Sequence, residues 1–482
     1  MFNIEEMIDF ENKHKLAQKE FLGLKIYQLI REYIINDLSS MDKSADFVCD
    51  IFTPCKKDFK IYKNFKNRYI FTKKDKSDIL FITDHRRILQ GDKYESVYTD
   101  EFENLVKDKY KTITIEQPSW ACFSKSKDAH TLNEMSENIK YLDLIEIKTL
   151  YKIKNFKFFH KLKYKKIVLE IKQILNIIFE KFNIDLSCHL QFYIDNFLYC
   201  LLSKKDYEKI IDKIDPRCAV IYYRAFPAKV ILVYILRERK IKTIEVQHGT
   251  FFKDYPVNQM ANKNENWLIK PDFLFSFGEK QVYLKNLRYK KENVLFTGNL
   301  FLNKKLKTNY SFPIEMSNKK KNILFISQTV IGNYLSKLAS EVNEKIDKNS
   351  FQILYRFHPQ EINKNYECLN KCNIKQLKNV NEEIYKFQKF TDVQIGVFST
   401  AIFEGLAFAI PTIIIINENN IADVEYTLKS FKQGVYFAQS SDDIIKILNT
   451  SLQKPLKEDI DKLWAKNPEI KFKRELDKII KQ

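Results

Sequence analysis

The sequence predicts an α/β protein in which two doubly wound parallel sheets face each other across a cleft, with extra helices at the N-terminus. The chain has 482 residues, too many for one ordinary hydrophobic core and enough for two α/β domains. Short apolar runs alternate with helical patterns in two successive series, which is typical of parallel sheets covered by helices on both faces. Three short motifs follow such runs, where open α/β sheets place ligand-binding groups.

The first series of strands follows an N-terminal helical segment. Residues 1–45 have a loosely helical apolar spacing. Residues 46–305 are expected to form the first domain, and their mostly helical, basic stretch at about 131–213 is interpreted as an insertion. A helix is also expected at 227–239. Strands are predicted at 78–83, 112–116, 218–223, 242–246, 272–277 and 294–297.

A polar, lysine-rich stretch at 300–321 predicts a linker between the two series. The second domain is expected over 320–455, and a C-terminal helix over 456–482. Its strands are predicted at 322–327, 351–357, 392–398 and 411–416, and its helices at 334–346, 381–389 and 399–408.

The composition favours a folded protein with anionic partners. Hydrophobic residues make up 45% of the chain and aromatic residues 14%, which excludes a disordered protein. The 81 Lys and Arg against 62 Asp and Glu give a net charge of +19. Part of this excess is a general lysine-rich surface, and part indicates attraction to lipid head groups, phosphorylated donors or acidic glycans. Nucleic acid is not expected, because no recognised binding module accompanies the charge.

Eight cysteines occur without a CxxC pair or zinc-ligand spacing, so reduced thiols and a cytoplasmic protein are expected. The N-terminus has no pattern of a secretion signal. No uncharged run is long enough to span a bilayer, so any membrane contact is expected to be peripheral.

Residues 148–166 contain eight lysines and no acid, interleaved with aromatic side chains. Such a segment can lie on an anionic membrane or bind an acidic glycan. The alternative is a solvated helix whose aromatic residues pack inward.

The strand predicted at 351–357 ends in Arg356, Phe357, His358 and Pro359. Arg356 and His358 are two residues apart and therefore lie on one side of the strand. An arginine can bind a phosphate through its fork, and a neighbouring histidine can donate a second hydrogen bond. The alternative is a structural histidine bonded to a loop carbonyl.

A second motif runs from a strand into a helix at Ser399 and Thr400. Free backbone amides at a helix N-terminus bind anions, so either hydroxyl is expected to contact a phosphate. Glu404, one turn later, is a candidate acceptor of hydrogen bonds from ribose or sugar hydroxyls. The alternative is ordinary helix capping, which uses the same residue types.

The third motif places His248 and Gly249 after the strand at 242–246. Gly249 is expected to permit a turn that would strain other residues. His248 then stands at a strand end of the first domain, where an imidazole suits a general base that deprotonates an acceptor hydroxyl. A structural histidine at a tight turn is the alternative, and Glu116 is an alternative base.

Further candidates also follow predicted strands. Gly278 is assigned to the donor site, and His85, Arg86, Arg87 and Arg224 are candidate contacts for an acidic acceptor or, alternatively, surface ion pairs. No metal site is predicted, because Asp442 and Asp443 follow Ser441 in a pattern that indicates helix capping.

These motifs together resemble those of GT-B-type transferases of bacterial surface polysaccharide synthesis. The similar families are the capsule polysaccharide transferases that use CMP-activated sugars and the teichoic-acid polymerases that use CDP-glycerol. The similarity covers about residues 218–417, and it implies two Rossmann-like domains, an acceptor domain followed by a nucleotide-donor domain. By this resemblance His358, Ser399 and Thr400 bind the nucleotide phosphates and His248 acts from the first domain. The matching residues are His248, Gly249, Arg356, His358, Pro359, Ser399, Thr400 and Glu404.

The expected function is that of a metal-independent glycosyltransferase. It transfers a sugar from a nucleotide-activated donor, with cytidine as the expected nucleotide, to a capsule or other surface glycan. The donor is a substrate, so no cofactor is expected. The expected acceptor is an acidic or lipid-linked glycan, with peripheral contact to an anionic membrane. The alternatives are a CDP-alditol phosphotransferase of teichoic-acid type, an epimerase-like GT-B enzyme and a non-catalytic glycan-assembly protein.

Overall fold

Two parallel sheets form the centres of two successive domains. The structure is a computed structural model that describes residues 2–39, 71–84, 87–90, 93–117, 139–222, 226–249, 251, 258–260, 267–285, 287–329, 331–372, 374–379, 383–416 and 427–481. The prediction of an α/β chain with two doubly wound domains facing across a cleft is confirmed.

The N-terminal segment is helical but not continuously so. Helices α1 (Ile4–Lys13) and α2 (Ile26–Ser39) are separated by a small hairpin of β1 (Glu20–Phe21) and β2 (Leu24–Lys25). Leu22 and Gly23 have φ values of 52° and 78°. Positive φ at both central residues suits a two-residue hairpin turn, and glycine adopts it without strain. This turn interrupts the helical pattern expected over 1–45, of which residues 40–45 lie outside the described residues.

Within the described residues, the first sheet has seven strands, all parallel, in the order β11-β10-β9-β8-β3-β6-β7. Its edge strand β7 lies inside the stretch predicted to be helical. A separate hairpin, β4 with β5, follows β3. The bounds are β3 (Ile79–Asp84), β4 (Arg87–Gln90), β5 (Lys93–Ser96), β6 (Thr112–Gln117), β7 (Ile139–Tyr141), β8 (Cys218–Tyr222), β9 (Lys242–Val246), β10 (Phe273–Ser276) and β11 (Val294–Phe296).

Helices cover both faces of this sheet. Helix α7 begins at Pro227, whose missing N–H suits the first helical position, and every residue from there to Leu236 is buried. It packs with α2 and the helices of the insertion in one large core. The helices of this domain are α3 (Asp100–Val106), α4 (Asp143–Phe159), α5 (Lys161–Phe182), α6 (Leu190–Ile214) and α7 (Pro227–Glu238).

The described part of the second sheet has six parallel strands in the order β14-β13-β12-β15-β16-β17. Two of these, β14 and β17, are short edge strands that were not predicted from the sequence. The strands are β12 (Lys321–Ile326), β13 (Phe351–Arg356), β14 (Lys375–Leu377), β15 (Val393–Gly396), β16 (Thr412–Ile415) and β17 (Val435–Ala438). Its helices are α9 (Gly332–Lys345), α10 (Glu367–Asn370), α11 (Ile384–Gln388), α12 (Thr400–Ala407) and α13 (Ser441–Leu448).

The stretch predicted to be a linker begins with helix α8 (Leu300–Lys307). The Asn299 side chain accepts a hydrogen bond from the Leu302 amide and caps this helix. Leu300, Phe301 and Leu302 are buried, so the first turn of α8 belongs to the folded domains.

The C-terminal segment, predicted as one helix, forms two: α14 (Lys457–Leu463) and α15 (Pro468–Lys481). The break precedes Pro468, and Asn467 there has a φ of 52°. Helix α15 returns to the first domain, where Phe472 and Leu476 pack with Ile79 and Phe81 of β3. The end of the chain therefore covers the face of the first sheet opposite α7.

Candidate functional site

The second sheet has a topological switch point between β12 and β15. By chain order its strands run 3-2-1-4-5-6, so successive connections leave in opposite directions from these two central strands. In open α/β sheets, ligands bind in the crevice outside the carboxyl ends of the strands at this point. Ser327 follows β12 there, and Ser399 follows β15.

Ser399 immediately precedes helix α12, whose first residue is Thr400. Ser399 has extended backbone angles, but its side chain makes no capping hydrogen bond. The alternative of ordinary capping by Ser399 therefore does not describe this helix. Thr400 is exposed. Two hydroxyl groups and the first-turn amides of an eight-residue helix thus stand at the switch point, an arrangement suited to an anion.

Helix α12 is fixed against the sheet by a buried glutamine. Gln394 Nε2 donates to the Ile402 carbonyl and to Thr412 Oγ1, each at 2.8 Å. A Cβ added at Gly405 would lie 2.0 Å from Gln394 Oε1, so the glycine of this motif permits the helix to approach β15. The N-terminus of α12 is therefore held in a fixed position relative to the ends of β15 and β16.

Glu404 lies on α12, one turn beyond Thr400, and is partly buried. Desolvation raises the pKa of its carboxyl group to about 7, and a hydrogen bond from Tyr385 opposes that rise. The carboxyl group therefore exchanges its proton near neutral pH, close to the candidate anion site.

His358 stands just past β13, next to the switch point. Its Nδ1 accepts a hydrogen bond of 3.2 Å from the Gln360 amide. An imidazole nitrogen that accepts carries no proton, so in the neutral ring the proton is on Nε2, which is a donor. His358 can therefore offer an N–H group to a phosphate oxygen.

The loop that carries His358 is tied down by Glu361, which is fully buried. Glu361 Oε2 accepts from the His358 amide at 3.0 Å, and its Oε1 accepts from the Tyr366 hydroxyl at 2.6 Å. A Cβ added at Gly332, the first residue of α9, would lie 1.9 Å from Glu361 Oε1. This role of Glu361 was not predicted from the sequence, although an acid three residues after His358 has the spacing of a capping box.

Arg356 is buried, with 7% of its surface exposed. Its Nη1 donates to the Asn379 carbonyl at 2.7 Å, and its own carbonyl accepts from the Ser327 amide at 3.0 Å. The guanidinium group thus holds a neighbouring loop of the protein.

Ser327 follows β12 at the switch point and is a further candidate site residue, which was not predicted from the sequence. The Tyr355 hydroxyl donates to the Gly332 carbonyl at 3.1 Å and also lies within hydrogen-bond distance of Ser327 Oγ, at 3.0 Å. These contacts join the loop after β12 to the start of α9. The available signal was a polar Ser-Gln-Thr sequence directly after an apolar strand.

In the first domain, Gln247 fixes the loop that carries His248. Its Oε1 accepts from Ser276 Oγ at 2.7 Å and from the Phe277 amide at 2.8 Å, and its Nε2 donates to the Gly249 carbonyl at 2.8 Å. The φ of Gly249 lies outside the left-handed region and a Cβ there would meet nothing within 4 Å. The prediction that Gly249 relieves backbone strain is therefore wrong, and the side chain of Gln247 shapes this turn.

His248 is partly buried at the carboxyl end of the first sheet. Its ring stands perpendicular to that of Tyr222 with 5.2 Å between centroids, and Tyr222 stacks on Tyr98 at 4.0 Å. Tyr222 ends β8, which flanks the switch point between β3 and β8. The structure therefore places His248 where the ligand crevice of the first domain is expected.

A buried ion network supports the strand before His248. Glu245 accepts hydrogen bonds from Arg288 Nη2 at 2.5 Å and from the Tyr289 hydroxyl. Arg288 Nη1 also donates to Glu32 of α2 at 3.2 Å. Burial raises the pKa of Glu245, and the adjacent Arg288 opposes that rise. The N-terminal helices are thereby joined to the strand that presents His248.

Two other predicted residues have clear structural surroundings. Glu116 is 2% exposed on β6, in register with Thr83 and Tyr141, whereas His248 is only partly buried, so His248 is the more accessible of the two to an acceptor hydroxyl. A Cβ at Gly278 would lie 2.3 Å from the Leu463 carbonyl oxygen. The absence of a side chain at Gly278 therefore leaves room for the backbone at Leu463, at the end of helix α14.

The predicted acceptor contacts cannot be placed in the same way. His85, Arg86 and Arg224 lie outside the described residues, and the side chain of Arg87 is not described either. Strands β3 and β8, which precede them, are the two strands at the switch point of the first sheet.

No helix in the described part of the chain combines the length and the hydropathy needed to cross a bilayer. Nor do the described His, Cys, Asp and Glu residues form a group of three or more with metal-binding geometry.

Known proteins resemble this chain in fold but not significantly in sequence. The sequence matches no protein-family model, and no curated protein is significantly similar to it.

Among solved structures, the UDP-GlcNAc 2-epimerase of Methanocaldococcus jannaschii is similar, with 13% identity, a TM-score of 0.50, and coverage of 84% of this chain and 100% of that one. The Neisseria meningitidis UDP-GlcNAc 2-epimerase bound to UDP-GlcNAc has 11% identity, a TM-score of 0.48 and coverage of 84% and 100%. The calicheamicin glycosyltransferase CalG4 has 9% identity, a TM-score of 0.43 and coverage of 84% and 94%. The two facing parallel-sheet domains, their strand order and the similarity to the M. jannaschii structure together show a GT-B-type fold.

Proposed function

We propose that this chain is a glycosyltransferase that transfers a sugar from a nucleotide-activated donor to a glycan acceptor. The observation that carries the proposal is the N-terminus of α12, with Ser399 and Thr400, which has no side-chain cap and lies at the switch point of the second sheet. His358 follows β13, on the other side of β12. The arrangement offers hydroxyl groups, backbone amides and an imidazole N–H to one anionic group, which matches the phosphates of a nucleotide sugar.

In the proposed reaction, the bond between the anomeric carbon and the phosphate oxygen of the donor breaks. The leaving nucleotide takes the electron pair, and its charge is stabilised by His358, Ser399, Thr400 and the first-turn amides of α12. The acceptor hydroxyl forms the new bond to the anomeric carbon and gives its proton to His248, across the cleft in the first domain. The resemblance to bacterial capsule transferases favours a cytidine nucleotide and a surface glycan acceptor.

Nucleotide binding provides the first test. Purified protein is heated with CMP, CDP, UDP or GDP, and at least one is expected to raise the melting temperature, with cytidine nucleotides preferred. Nucleotide at about ten times its dissociation constant adds roughly 1.4 kcal/mol of stability. An absence of stabilisation by all four nucleotides contradicts the proposal.

A pair of serine variants makes this test specific to the site. Ser399→Ala is expected to leave the melting temperature of the free protein almost unchanged and to reduce the nucleotide-induced shift. The matched control is Ser440→Ala, because Ser440 Oγ caps α13 by accepting from the Asp443 amide at 3.2 Å. This control should lose about 0.5–2 kcal/mol of stability and keep the full nucleotide-induced shift. The opposite pattern would make Ser399 a structural cap.

Product analysis separates transfer from epimerisation. With a bound nucleotide identified, the corresponding nucleotide sugar is incubated with and without glycolipid extract and examined by NMR. Transfer requires an acceptor and releases nucleotide, whereas an epimerase changes the configuration of the sugar in the absence of an acceptor. Acceptor-independent epimerisation would overturn the proposed reaction.

A further inference from the structure

The corner between helices α4 and α5 exposes a group of large apolar side chains. The helices meet at His160, which has non-helical backbone angles. Phe158, Phe159 and Leu162 are 81%, 78% and 77% exposed. Single exposed apolar residues are common on protein surfaces, but three within five residues at a protruding bend form a patch.

The same corner carries an unbalanced positive charge. Lys148 and Lys152 at its base bind Asp206 at 3.1 and 3.2 Å. The remaining six lysines of the segment are all exposed, and none forms an ion pair with another described residue; they are Lys154, Lys157, Lys161, Lys163, Lys165 and Lys166. Six positive charges thus surround the apolar patch, and no acid in the described part of the chain pairs with them.

The corner is held firmly by its inner face. Ile153 and Phe156 of α4, and Ile167 and Ile171 of α5, are buried in the core of the first domain. The aromatic residues of the segment therefore divide into an inward set and an outward set, and inward packing does not account for Phe158 and Phe159. Because the backbone of this corner is already held in place, binding through the exposed apolar side chains would cost little conformational entropy.

We propose that this corner docks the protein on an anionic lipid membrane. Phe158, Phe159 and Leu162 would enter the boundary between head groups and acyl chains, while the lysines contact the anionic head groups. An acidic glycan also attracts lysines, but it gives no reason for three apolar side chains to project into solvent. This proposal does not depend on the donor site, which lies in the other domain.

The test is sedimentation of the full chain with sucrose-loaded vesicles. The vesicles contain phosphatidylcholine alone or phosphatidylcholine with one-third phosphatidylglycerol. Binding to the anionic vesicles is expected, weakened by added salt, with binding to the neutral vesicles at least about ten-fold weaker. Equal binding to both vesicles, or no binding to either, overturns the proposal.

Two corner variants test the two components separately. The triple variant Lys161→Gln, Lys163→Gln, Lys165→Gln should bind anionic vesicles about a hundred-fold more weakly. The double variant Phe158→Ser, Phe159→Ser should weaken binding at least about ten-fold.

Matched controls remove the same charge, or two exposed apolar side chains, elsewhere on the surface. The charge control is the triple variant Lys319→Gln, Lys337→Gln, Lys473→Gln, all exposed. The apolar control is Ile314→Ser with Ile470→Ser, which are 94% and 66% exposed. Both controls should bind vesicles nearly as the natural chain does; losses equal to those of the corner variants would contradict a localised surface.

Two further readouts identify the ligand. Binding to a soluble acidic polysaccharide that depends on the lysines but not on Phe158 and Phe159 would assign the corner to a glycan and overturn the membrane proposal. The melting-temperature shift with nucleotide should persist in every corner variant. Loss of membrane docking and failure of the proposed transferase function are therefore separate outcomes.

Discussion

Replacing Glu404 with glutamine should stabilise the protein above neutral pH and leave its stability near pH 4 almost unchanged. The carboxyl group has a pKa of about 7 in the folded protein, against an ordinary value of 4.5. Between these values the unfolded chain loses the proton while the folded protein retains it, so stability falls as the pH rises through this window. The difference between the two pKa values corresponds to roughly 3 kcal/mol at pH values above both. Glutamine resembles the neutral carboxyl group and does not titrate, so the variant avoids this loss.

The assay is urea unfolding of both proteins at a series of pH values from about 4 to 9. Trp464 gives a local fluorescence signal, because its indole N–H donates to the Phe403 carbonyl of α12 at 3.0 Å. The stability difference between variant and natural protein should grow from near zero to roughly 3 kcal/mol across the window. A stability difference between the two proteins that stays constant with pH would refute the raised pKa of Glu404.

Tyr385 supplies the matched control. Its hydrogen bond to Glu404 lowers the pKa of the carboxyl group, against the larger effect of burial. Tyr385→Phe removes that bond and should move the window to higher pH. An unchanged window would show that Tyr385 does not act on Glu404.

Three further variants test the supports around the two motifs. Arg288→Ala should destabilise the protein by about 3–5 kcal/mol in urea unfolding, because it removes the guanidinium that binds the buried Glu245; a loss below about 1 kcal/mol would contradict a buried ion pair. Gly332→Ala should cost about 1–3 kcal/mol and weaken the nucleotide-induced melting shift, because its Cβ would lie 1.9 Å from the buried carboxylate under the His358 loop. Gly249→Ala is its control, since a Cβ there meets nothing within 4 Å, and equal effects of the two changes would contradict this reading. His248→Ala should abolish sugar transfer while keeping the nucleotide-induced shift, and retained turnover would exclude His248 as the base.

Several site assignments depended on contacts that the sequence does not display. Arg356 and His358 were predicted together, yet the structure shows Arg356 donating to the Asn379 carbonyl and His358 accepting from the Gln360 amide through Nδ1. Gly278 was predicted at the donor site, and its Cβ position is occupied by the backbone of Leu463, 185 residues later in the chain. Such roles are set by residues far away in sequence, which local patterns do not identify.

The sequence by itself determined the fold class, because the apolar runs, helical spacings and turn signals of the two series are local properties of the chain. It also located the ends of the central strands and the motifs of His248, His358, Ser399 and Thr400 beside them. Only the tertiary structure decided which of these residues come together. The strand orders place β12 beside β15 and β3 beside β8, and the return of α15 covers the first sheet. The physical reason is that strand pairing and helix packing are long-range contacts, chosen by burial of complete faces rather than by the residues that form each element.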